Sequence, residues 1–324
     1  MIEALYPAKL APGDTIAIAA LSNTSARRVD QARRAAAVLR EMGFEPVLSE
    51  LTESESEHGW RSAPAEAQAA ELNGFLADPG VRAVLAFTGG TSTFGYLDRI
   101  DVDAVRADPK PILGFSDITA VHLALYSRTG LIGFHADMAV TGPGGTWADL
   151  DGRRRKEIQD LYTGLLTGAA PIELPPSRPW QAWREGKATG TLIGGLLRRL
   201  TAVQATPFAL PLDAFDGAVL FWEEVGQSPT DIWNDLQVLR TAGVFDRIAG
   251  MAVGRVAHMP EENLPAGRVT LRDAVMDAVA GFGFPVLGDM EFGHQPPNLP
   301  MPIGVRAELD AGGGALTLLG PAVR

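Results

Sequence analysis

Apolar residues in the first half of the chain alternate between short continuous runs and longer stretches in which they recur every three or four positions. Short apolar runs bounded by glycine, proline or polar residues predict buried strands, and the longer periodic stretches predict helices. The predicted strands are residues 15–20, 46–48, 81–87, 111–113 and 131–134, and the predicted helices are residues 26–42, 65–76 and a stretch that opens at Ser116. Strands that alternate with helices predict an α/β domain with a parallel sheet and right-handed crossovers.

The second half follows a less regular pattern. Strands are predicted at residues 190–195, 217–224, 250–256 and 286–290, helices up to residue 200 and at residues 230–241 and 271–280, and closing strands at residues 305–309 and 315–319. The closing strands flank a glycine run and therefore predict an antiparallel pair. This mixture predicts an α+β domain.

A change of composition after Thr141 marks the predicted boundary between the two halves. A glycine-rich stretch, a charged helix at residues 153–165 and a proline-rich run at residues 171–179 follow, as is typical of a linker. Trp180 and Trp183 lie in this linker, where exposed aromatic side chains either cover a cleft as a lid or pack between domains. The predicted division is an N-terminal domain at residues 1–145, a linker at residues 146–186 and a C-terminal domain at residues 187–324.

Composition and charge exclude several classes of function. The 324 residues are 46% hydrophobic and 21% charged, as in ordinary globular proteins, and no apolar run approaches the ~20 residues of a membrane span. The absence of cysteine excludes disulfides, thiolate metal sites and a cysteine nucleophile. A net charge of −11 argues against nucleic acid as a partner. With no signal peptide at the N-terminus, we expect a cytoplasmic protein that does not bind membranes.

The stretch from Pro111 to His122 carries the first candidate for chemistry. A short strand meets Gly114, and Ser116 and Asp117 then open a helix. A serine on such a turn has its hydroxyl exposed over the sheet edge, as in a nucleophile elbow, and the Asp117 N–H lies where an oxyanion is stabilised. A plain helix N-cap is the alternative, because Ile118 stands where the elbow motif has its second glycine.

The Gly89-Gly90 turn follows the strand at residues 81–87 and falls on the same predicted sheet edge as Ser116. Glycines allow close approach of a ligand and direct N–H groups at an anion, although they are also ordinary turn residues. A dinucleotide or phosphate-loop motif is absent, so we expect no nucleotide cofactor here. The Gly90 N–H is therefore predicted to contribute to an oxyanion hole.

A serine nucleophile needs a histidine base, and the chain has five histidines, His58, His122, His135, His258 and His294. His122 lies six residues along the serine's own helix, about 9 Å up the axis, and cannot reach back. His58 and His258 are expected in loops. His135 ends a strand near the serine's sheet edge, and His294 lies in a long Gly/Pro-rich loop of the second half. The residues alone leave both open.

Glu223 and Glu224 end the apolar strand at residues 217–224. Consecutive strand residues point to opposite faces, so at most one of these acids faces a cleft. Two acids could bind a metal, but no histidine pair or aspartate cluster accompanies them, and we expect no metal site.

Several motifs together resemble the LD-carboxypeptidase family of serine peptidases. They are Gly114-Phe-Ser-Asp-Ile-Thr, Gly89-Gly90, Ile193-Gly-Gly, the strand ending in Phe-Trp-Glu-Glu, the helix at residues 232–239 with Ala242-Gly-Val-Phe-Asp after it, and Phe292-Gly-His. The motifs occur in the family's order over nearly the whole chain. The resemblance implies a parallel α/β domain of flavodoxin-like or amidotransferase-like type, a β-rich C-terminal domain and a Ser–His–Glu triad between them.

Transferred residue by residue, the resemblance implies Ser116 as nucleophile, His294 as base and Glu223 as the acid that orients it. The N–H groups of Gly90 and Asp117 fall where the family has its oxyanion hole. It implies hydrolysis of the bond from an L-centre to a terminal D-amino acid in murein tetrapeptides during cell-wall recycling. We expect a small peptide or amide substrate, no cofactor and a homodimer.

A second branch of the family, the microcin C immunity proteins, implies an alternative substrate, peptidyl- or aminoacyl-nucleotide amides. The carboxypeptidase branch usually has arginine before Gly-Gly and an aromatic residue after it, where this chain has Thr88 and Thr91. Leu196 stands where the family usually has asparagine after Ile-Gly-Gly. A non-enzymatic α/β protein that binds a small ligand in the same crevice is the remaining alternative.

Overall fold

Two β-sheets with helices packed around them form the framework of the protein. The computed structural model describes residues 2–23, 28–53, 59–261, 263–264 and 267–324. The first half supplies β1 (Thr15–Ala19), α1 (Val29–Glu41), β2 (Glu45–Leu48), α2 (Glu50–Glu53), α3 (Ala65–Ala77), β3 (Val81–Ala86), α4 (Val102–Ala107), β4 (Ile112–Gly114), α5 (Ile118–Thr129) and β5 (Gly133–His135).

The rest of the chain supplies α6 (Gly152–Thr167), β6 (Ile172–Glu173), β7 (Gln181–Arg184), β8 (Lys187–Leu196), α7 (Leu197–Val203), β9 (Val219–Glu223), α8 (Pro229–Thr241), β10 (Gly250–Gly254), β11 (Asn263–Leu264), β12 (Gly267–Arg268), α9 (Leu271–Ala278), β13 (Val286–Met290), β14 (Met301–Ile303), β15 (Arg306–Asp310) and β16 (Ala315–Leu318). Each predicted strand and helix has a counterpart among these elements, displaced by a few residues at the ends. The predicted start of the first helix, at residue 26, lies outside the described residues.

The first sheet has the strand order β14-β5-β4-β3-β1-β2. Neighbours from β5 to β2 are parallel, as the alternation of strands and helices predicts. β14 comes from the C-terminal part of the chain and pairs antiparallel with β5. Because β3, β4 and β5 end at the same edge, the segments that follow them meet there, and they carry the Gly89–Gly90 turn and Ser116.

The second sheet has the strand order β6-β16-β15-β8-β9-β10-β13-β7. Its central strands β8, β9, β10 and β13 are parallel, and antiparallel strands extend it on both sides. The closing strands β15 and β16 form the predicted antiparallel pair. Glu223 ends β9 and His294 follows β13 two strands away, so both lie at the carboxyl edge of this sheet.

Helix α5 is enclosed by the two halves of the molecule. Every residue from Ile118 to Tyr126 is buried. A helix that is buried all round has packing partners on more than one side. The Leu196 N–H donates to Thr119 Oγ1 at 3.0 Å, which joins the first turn of α5 to the end of β8. The beginning of α5, and Ser116 beside it, is therefore held against the second sheet.

Helix termini follow signals in the sequence. Ser228 and Asp231 form a capping box at the start of α8, with Pro229 at the first position, and Thr270 and Asp273 form another at the start of α9. Helix α5 ends at Gly130, whose φ of 76° places it in the left-handed region that favours glycine. Within the described ranges, no helix is both long and apolar enough to cross a membrane.

The two tryptophans of the predicted linker are not exposed. Trp180 is 5% and Trp183 6% accessible, and Trp183 lies in β7 on the second sheet. Gly288 of β13 makes room for its indole, since a Cβ there would lie 2.1 Å from Trp183 Cε2. The lid interpretation is therefore wrong, because neither side chain is exposed. Trp183 packs in the second sheet, where β7 pairs with β13 as an edge strand, and Trp180 is buried directly before β7.

Candidate active site

Ser116 occupies a strained turn between β4 and α5. Its φ is 62°, in the left-handed region that non-glycine residues rarely adopt. Helix α5 begins at Ile118 with Asp117 as its N-cap residue, and the Asp117 side chain makes no capping hydrogen bond. The simple N-cap interpretation of Ser116 therefore does not hold. Strain of this kind persists only where the surroundings enforce it, and it is concentrated at functional sites.

A hydrogen-bonded chain of three side chains joins the two sheets at this point. His294 Nε2 lies 3.0 Å from Ser116 Oγ, and His294 Nδ1 lies 2.7 Å from Glu223 Oε2. The Glu223 carboxylate is fully buried, and the His294 side chain is 19% exposed. A carboxylate on Nδ1 fixes the tautomer in which Nε2 is the acceptor, so Nε2 is able to accept the serine proton.

Gly293 allows Glu223 to approach this closely. Its φ is 100°, and a Cβ there would lie 2.5 Å from Glu223 Oε2. The Gly293 N–H donates to Asn298 Oδ1 at 2.8 Å, and the His294 N–H donates to Glu223 Oε2 at 3.2 Å. The backbone of the loop thus orients both the imidazole and its carboxylate partner.

Replacement of Gly293 by alanine is expected to lower kcat by about 100-fold, because the added methyl displaces Glu223 and the imidazole it orients. Steady-state kinetics on folded protein would measure the loss. Gly281→Ala is the control, since Gly281 also has positive φ (89°) but has open space around its Cβ position. Equal losses in the two variants would show that backbone strain, and not contact with Glu223, is responsible.

The pKa of His294 is raised above its usual value of 6.5. Burial is the largest single influence and lowers the pKa, but the charge and hydrogen bond of Glu223, with the charge of Glu224, outweigh it. Glu224 adds a smaller contribution in the same direction. The imidazole is therefore a stronger base than a free histidine side chain.

Glu224 points away from His294, as the alternation of strand residues predicts. Its carboxylate accepts the N–H groups of Arg198 at 3.0 Å and Val225 at 2.9 Å. Burial raises the pKa of Glu224 to about 7, against the opposing effect of these two hydrogen bonds. Glu224 therefore holds the start of α7 against the end of β9, while Glu223 contacts the imidazole.

The Gly89–Gly90 turn and the Asp117 backbone adjoin Ser116. Gly89 is packed against it, since a Cβ on Gly89 would lie 2.9 Å from Ser116 Oγ. Within the described part of the chain, the amides of Gly90 and Asp117 donate to no protein acceptor. Unpaired amides in the segments next to a hydroxyl are suited to bind an oxyanion formed there.

The Asp117 side chain anchors this turn. Its carboxylate accepts hydrogen bonds from the Ser22 hydroxyl at 2.6 Å, the Thr93 N–H at 3.0 Å and Arg199 Nε at 2.7 Å. Asp117 is fully buried, so each of these donors compensates for the lost hydration of the carboxylate. The ion pair with Arg199 of α7 is a second link, besides Thr119–Leu196, between the first turn of α5 and the second half.

Of the other histidines, none in the described residues contacts the serine. His135 is fully buried among Phe115, Phe221 and Phe292, and burial holds its pKa well below 6.5. Burial likewise lowers the pKa of His122 to about 4, and its Nε2 bonds to the Gly114 carbonyl at 2.9 Å. His258 is exposed, and His58 lies outside the described residues. His135 is therefore not the base partner.

A cleft of about 540 Å³ opens beside His294. Phe115, Asp137 and Thr146 line it from the first half, and Asn298 lines it from the second. Burial raises the pKa of Asp137 to about 7, although hydrogen bonds from Trp147 Nε1 and Thr141 lower it. The cleft therefore offers space for a substrate next to the base. In the portions of the chain that are described, no group of three or more metal-ligating side chains occurs.

Two sequence profiles of one family match this chain. The LD-carboxypeptidase N-terminal domain matches residues 16–136, and the LD-carboxypeptidase C-terminal domain matches residues 189–309. A putative carboxypeptidase of Streptomyces coelicolor is 34% identical over 100% of this chain and 99% of that protein. The chain belongs to the LD-carboxypeptidase family.

The relatives of this chain include proteins named as carboxypeptidases and one named as an immunity protein. A probable murein peptide carboxypeptidase of Bacillus subtilis is 30% identical over 94% of this chain and 91% of that protein. The microcin C7 self-immunity protein MccF of Escherichia coli is 26% identical over 94% of this chain and 93% of that protein. MccF in complex with aspartyl sulfamoyl adenosine has the same fold, with a TM-score of 0.88, 23% identity and coverage of 99% and 100%. Family membership identifies the protein as a hydrolase of carboxypeptidase type.

The positions that depart from the family pattern lie around the same site. Thr88 is buried next to the Gly89–Gly90 turn, and Leu196 ends β8 with its side chain buried. The hydrogen bond to Thr119 comes from the Leu196 backbone N–H, so it does not depend on which side chain stands at this position. Sequence reasoning missed Arg199, whose only signal is a pair of arginines within an otherwise apolar helix.

Proposed function

We propose that the protein is an LD-carboxypeptidase that hydrolyses the amide bond between an L-centre and the terminal D-amino acid of a murein tetrapeptide. Ser116 is the nucleophile, His294 the base and Glu223 the residue that orients the base. The observation that carries the proposal is the alignment of Ser116 Oγ, His294 and Glu223 at 3.0 and 2.7 Å. This alignment joins residues from both halves of the chain at one point beside a cleft.

In the first step, Ser116 Oγ attacks the scissile carbonyl carbon while His294 Nε2 takes the hydroxyl proton. The carbonyl oxygen becomes an oxyanion, to which the Gly90 and Asp117 N–H groups donate. Glu223 stabilises the imidazolium that forms. The C–N bond then breaks, His294 returns the proton to the departing amine, and an acyl-serine remains.

In the second step, a water molecule replaces the released D-amino acid. His294 takes a proton from this water, the resulting hydroxide attacks the acyl carbon, and the C–O bond to Ser116 breaks. The proton on His294 passes to Ser116 Oγ. The products are the shortened peptide with a new carboxylate and the free enzyme.

The chain's relatives support the murein substrate and the wider description. The B. subtilis relative is named for murein peptides, and the two family profiles flank residues 137–188. We include in the proposal a division at residues 1–145, 146–186 and 187–324, a cytoplasmic location and a homodimer, as the family resemblance implies.

An aminoacyl-nucleotide amide is the second candidate substrate, since the same acyl-transfer steps cleave it. Thr88 and Thr91, in place of the residues usual in the carboxypeptidase branch, favour this alternative. Trp180 and Trp183 give it no support, because both side chains are buried.

Two substrates distinguish the candidates. The purified protein is incubated with a murein tetrapeptide and, separately, with an aminoacyl sulfamoyl adenosine, and the products are followed by mass spectrometry. Release of terminal D-alanine is expected, and Ser116→Ala is the control for contaminating peptidases. Cleavage of the adenylate alone would assign the immunity-type activity. Binding without cleavage of either compound would indicate a ligand-binding protein.

A further inference from the structure

Arg199 brings a positive charge to the two backbone segments that flank Ser116. Its Nε donates to Asp117 Oδ1 at 2.7 Å, and its Nη2 lies 3.5 Å from the Gly90 carbonyl oxygen. Asp117 directly follows Ser116, and Gly89 is packed against the Ser116 side chain. The guanidinium therefore lies on the rim of the reaction centre, although α7 belongs to the second half of the chain.

The orientation of this guanidinium is fixed by its neighbours. The Asp117 carboxylate is fully buried, and the Arg199 guanidinium also lies over the Phe94 ring at 5.7 Å. The Arg199 side chain remains 14% exposed, so part of it is accessible from solvent. An arginine has five N–H donors, and Nη1 of Arg199 makes no hydrogen bond within the described residues. Donors are thus left for a ligand.

A substrate of the proposed reaction carries a carboxylate close to the bond that breaks. In a terminal amino acid, only three bonds, of about 1.33, 1.46 and 1.52 Å, separate the scissile carbonyl carbon from the carboxylate carbon. The carboxylate must therefore be bound within about 4.3 Å of the carbon that Ser116 attacks. A chain with a net charge of −11 repels such an anion unless a cation lies at the site.

We propose that Arg199 is the residue that selects substrates with a free terminal carboxylate, by donating from its Nη1 and Nη2 groups to that carboxylate. Asp117 holds the guanidinium through Nε, which leaves Nη1 and the second hydrogen of Nη2 for a forked contact. The inference rests on the proposed function. It names Arg199 as the residue that recognises the terminal D-amino acid, which the reaction releases. Arg199 is assigned a role in binding and orientation, not in proton transfer.

The test compares a tetrapeptide ending in D-alanine with the same peptide ending in D-alanine amide. Wild type is expected to prefer the carboxylate, and Arg199→Gln to reduce kcat/KM for the carboxylate by about 10- to 100-fold, the value of a hydrogen bond to a charged group. The rate on the amide is expected to fall by less, because for this substrate only the loss of the ion pair with Asp117 acts on the Ser116 turn. Arg199→Lys, which keeps a charge beside Asp117 without the forked donors, is expected to lose part of the preference.

Two further variants serve as controls. Arg198→Gln removes an exposed charge from the same helix, and Arg28→Gln removes the arginine that lines the cleft beside His294. Both are expected to keep the preference for the carboxylate. An equal loss on both substrates in Arg199→Gln, or loss of the preference in Arg28→Gln instead, would overturn the role of Arg199. If wild type cleaves neither peptide, the proposed function itself fails, and this inference fails with it.

Discussion

Replacement of Ser116 by alanine is expected to reduce kcat by about 10⁴- to 10⁶-fold, because no other hydroxyl contacts His294 Nε2 in the described structure. The fold should persist, since the substitution removes one oxygen atom and leaves the backbone turn in place. Binding of the substrate should also persist, because Ser116 contributes chemistry and not recognition. Turnover by mass spectrometry and binding by calorimetry would measure the two effects separately.

Ser127→Ala is the matched control for this experiment. Ser127 lies near the other end of α5, where its Oγ donates to the Ala209 carbonyl at 3.0 Å, far along the helix from the reaction centre. We expect its activity to stay close to that of wild type. Near-normal turnover in purified Ser116→Ala protein would contradict the proposed nucleophile and the mechanism built on it.

Replacement of Glu223 by glutamine is expected to lower kcat by about 10³- to 10⁴-fold, because an amide no longer selects the required imidazole tautomer. His294 must be neutral to accept the serine proton. Its pKa is raised, so activity of the wild type should fall as the pH drops through a value above 6.5. Without the Glu223 charge, burial dominates and the acid limb of the residual activity should move to lower pH. A pH profile of kcat/KM would measure this shift.

Glu224→Gln provides the control, since Glu224 differs from Glu223 by one position and contacts the α7 backbone instead of His294. The acid limb of the pH profile of Glu224→Gln should also move to lower pH, but by less than in Glu223→Gln, because Glu224 contributes the smaller part of the rise in the His294 pKa. The catalytic rate should change by less than tenfold. A severe loss in Glu224→Gln with little effect in Glu223→Gln would reverse the assignment within the pair.

Much of the framework follows from local patterns in the sequence. The strands of the first sheet are short buried runs, and their alternation with helices predicts the parallel order from β5 to β2. Strand β14 could not be predicted in this way. It has three residues, includes Pro302 and owes its existence to pairing with β5, a partner more than 160 positions earlier. Its conformation is decided by tertiary contact and not by its own composition.

The candidate site was only partly accessible from the residues themselves. The turn after Gly114 predicts a serine elbow, but the choice between His135 and His294 depends on contacts between the two sheets that no local pattern records. The family resemblance supplied that choice. Arg199 and Asp137 remained hidden, because an arginine in a helix and an aspartate after a strand are usually solvent-exposed. Only the packing shows that one pairs with buried Asp117 and the other lies in the cleft.

The contribution of Met301–Ile303 to the first sheet has a consequence for dissecting the protein. A fragment that stops before the second half would expose the Gly133–His135 edge, with unpaired backbone groups at the strand that leads into the cleft. Such an edge is a template for association between copies. The two halves matched by separate family profiles therefore share a sheet. A chimera that replaces either half must keep a strand at the position of Met301–Ile303 that pairs with Gly133–His135.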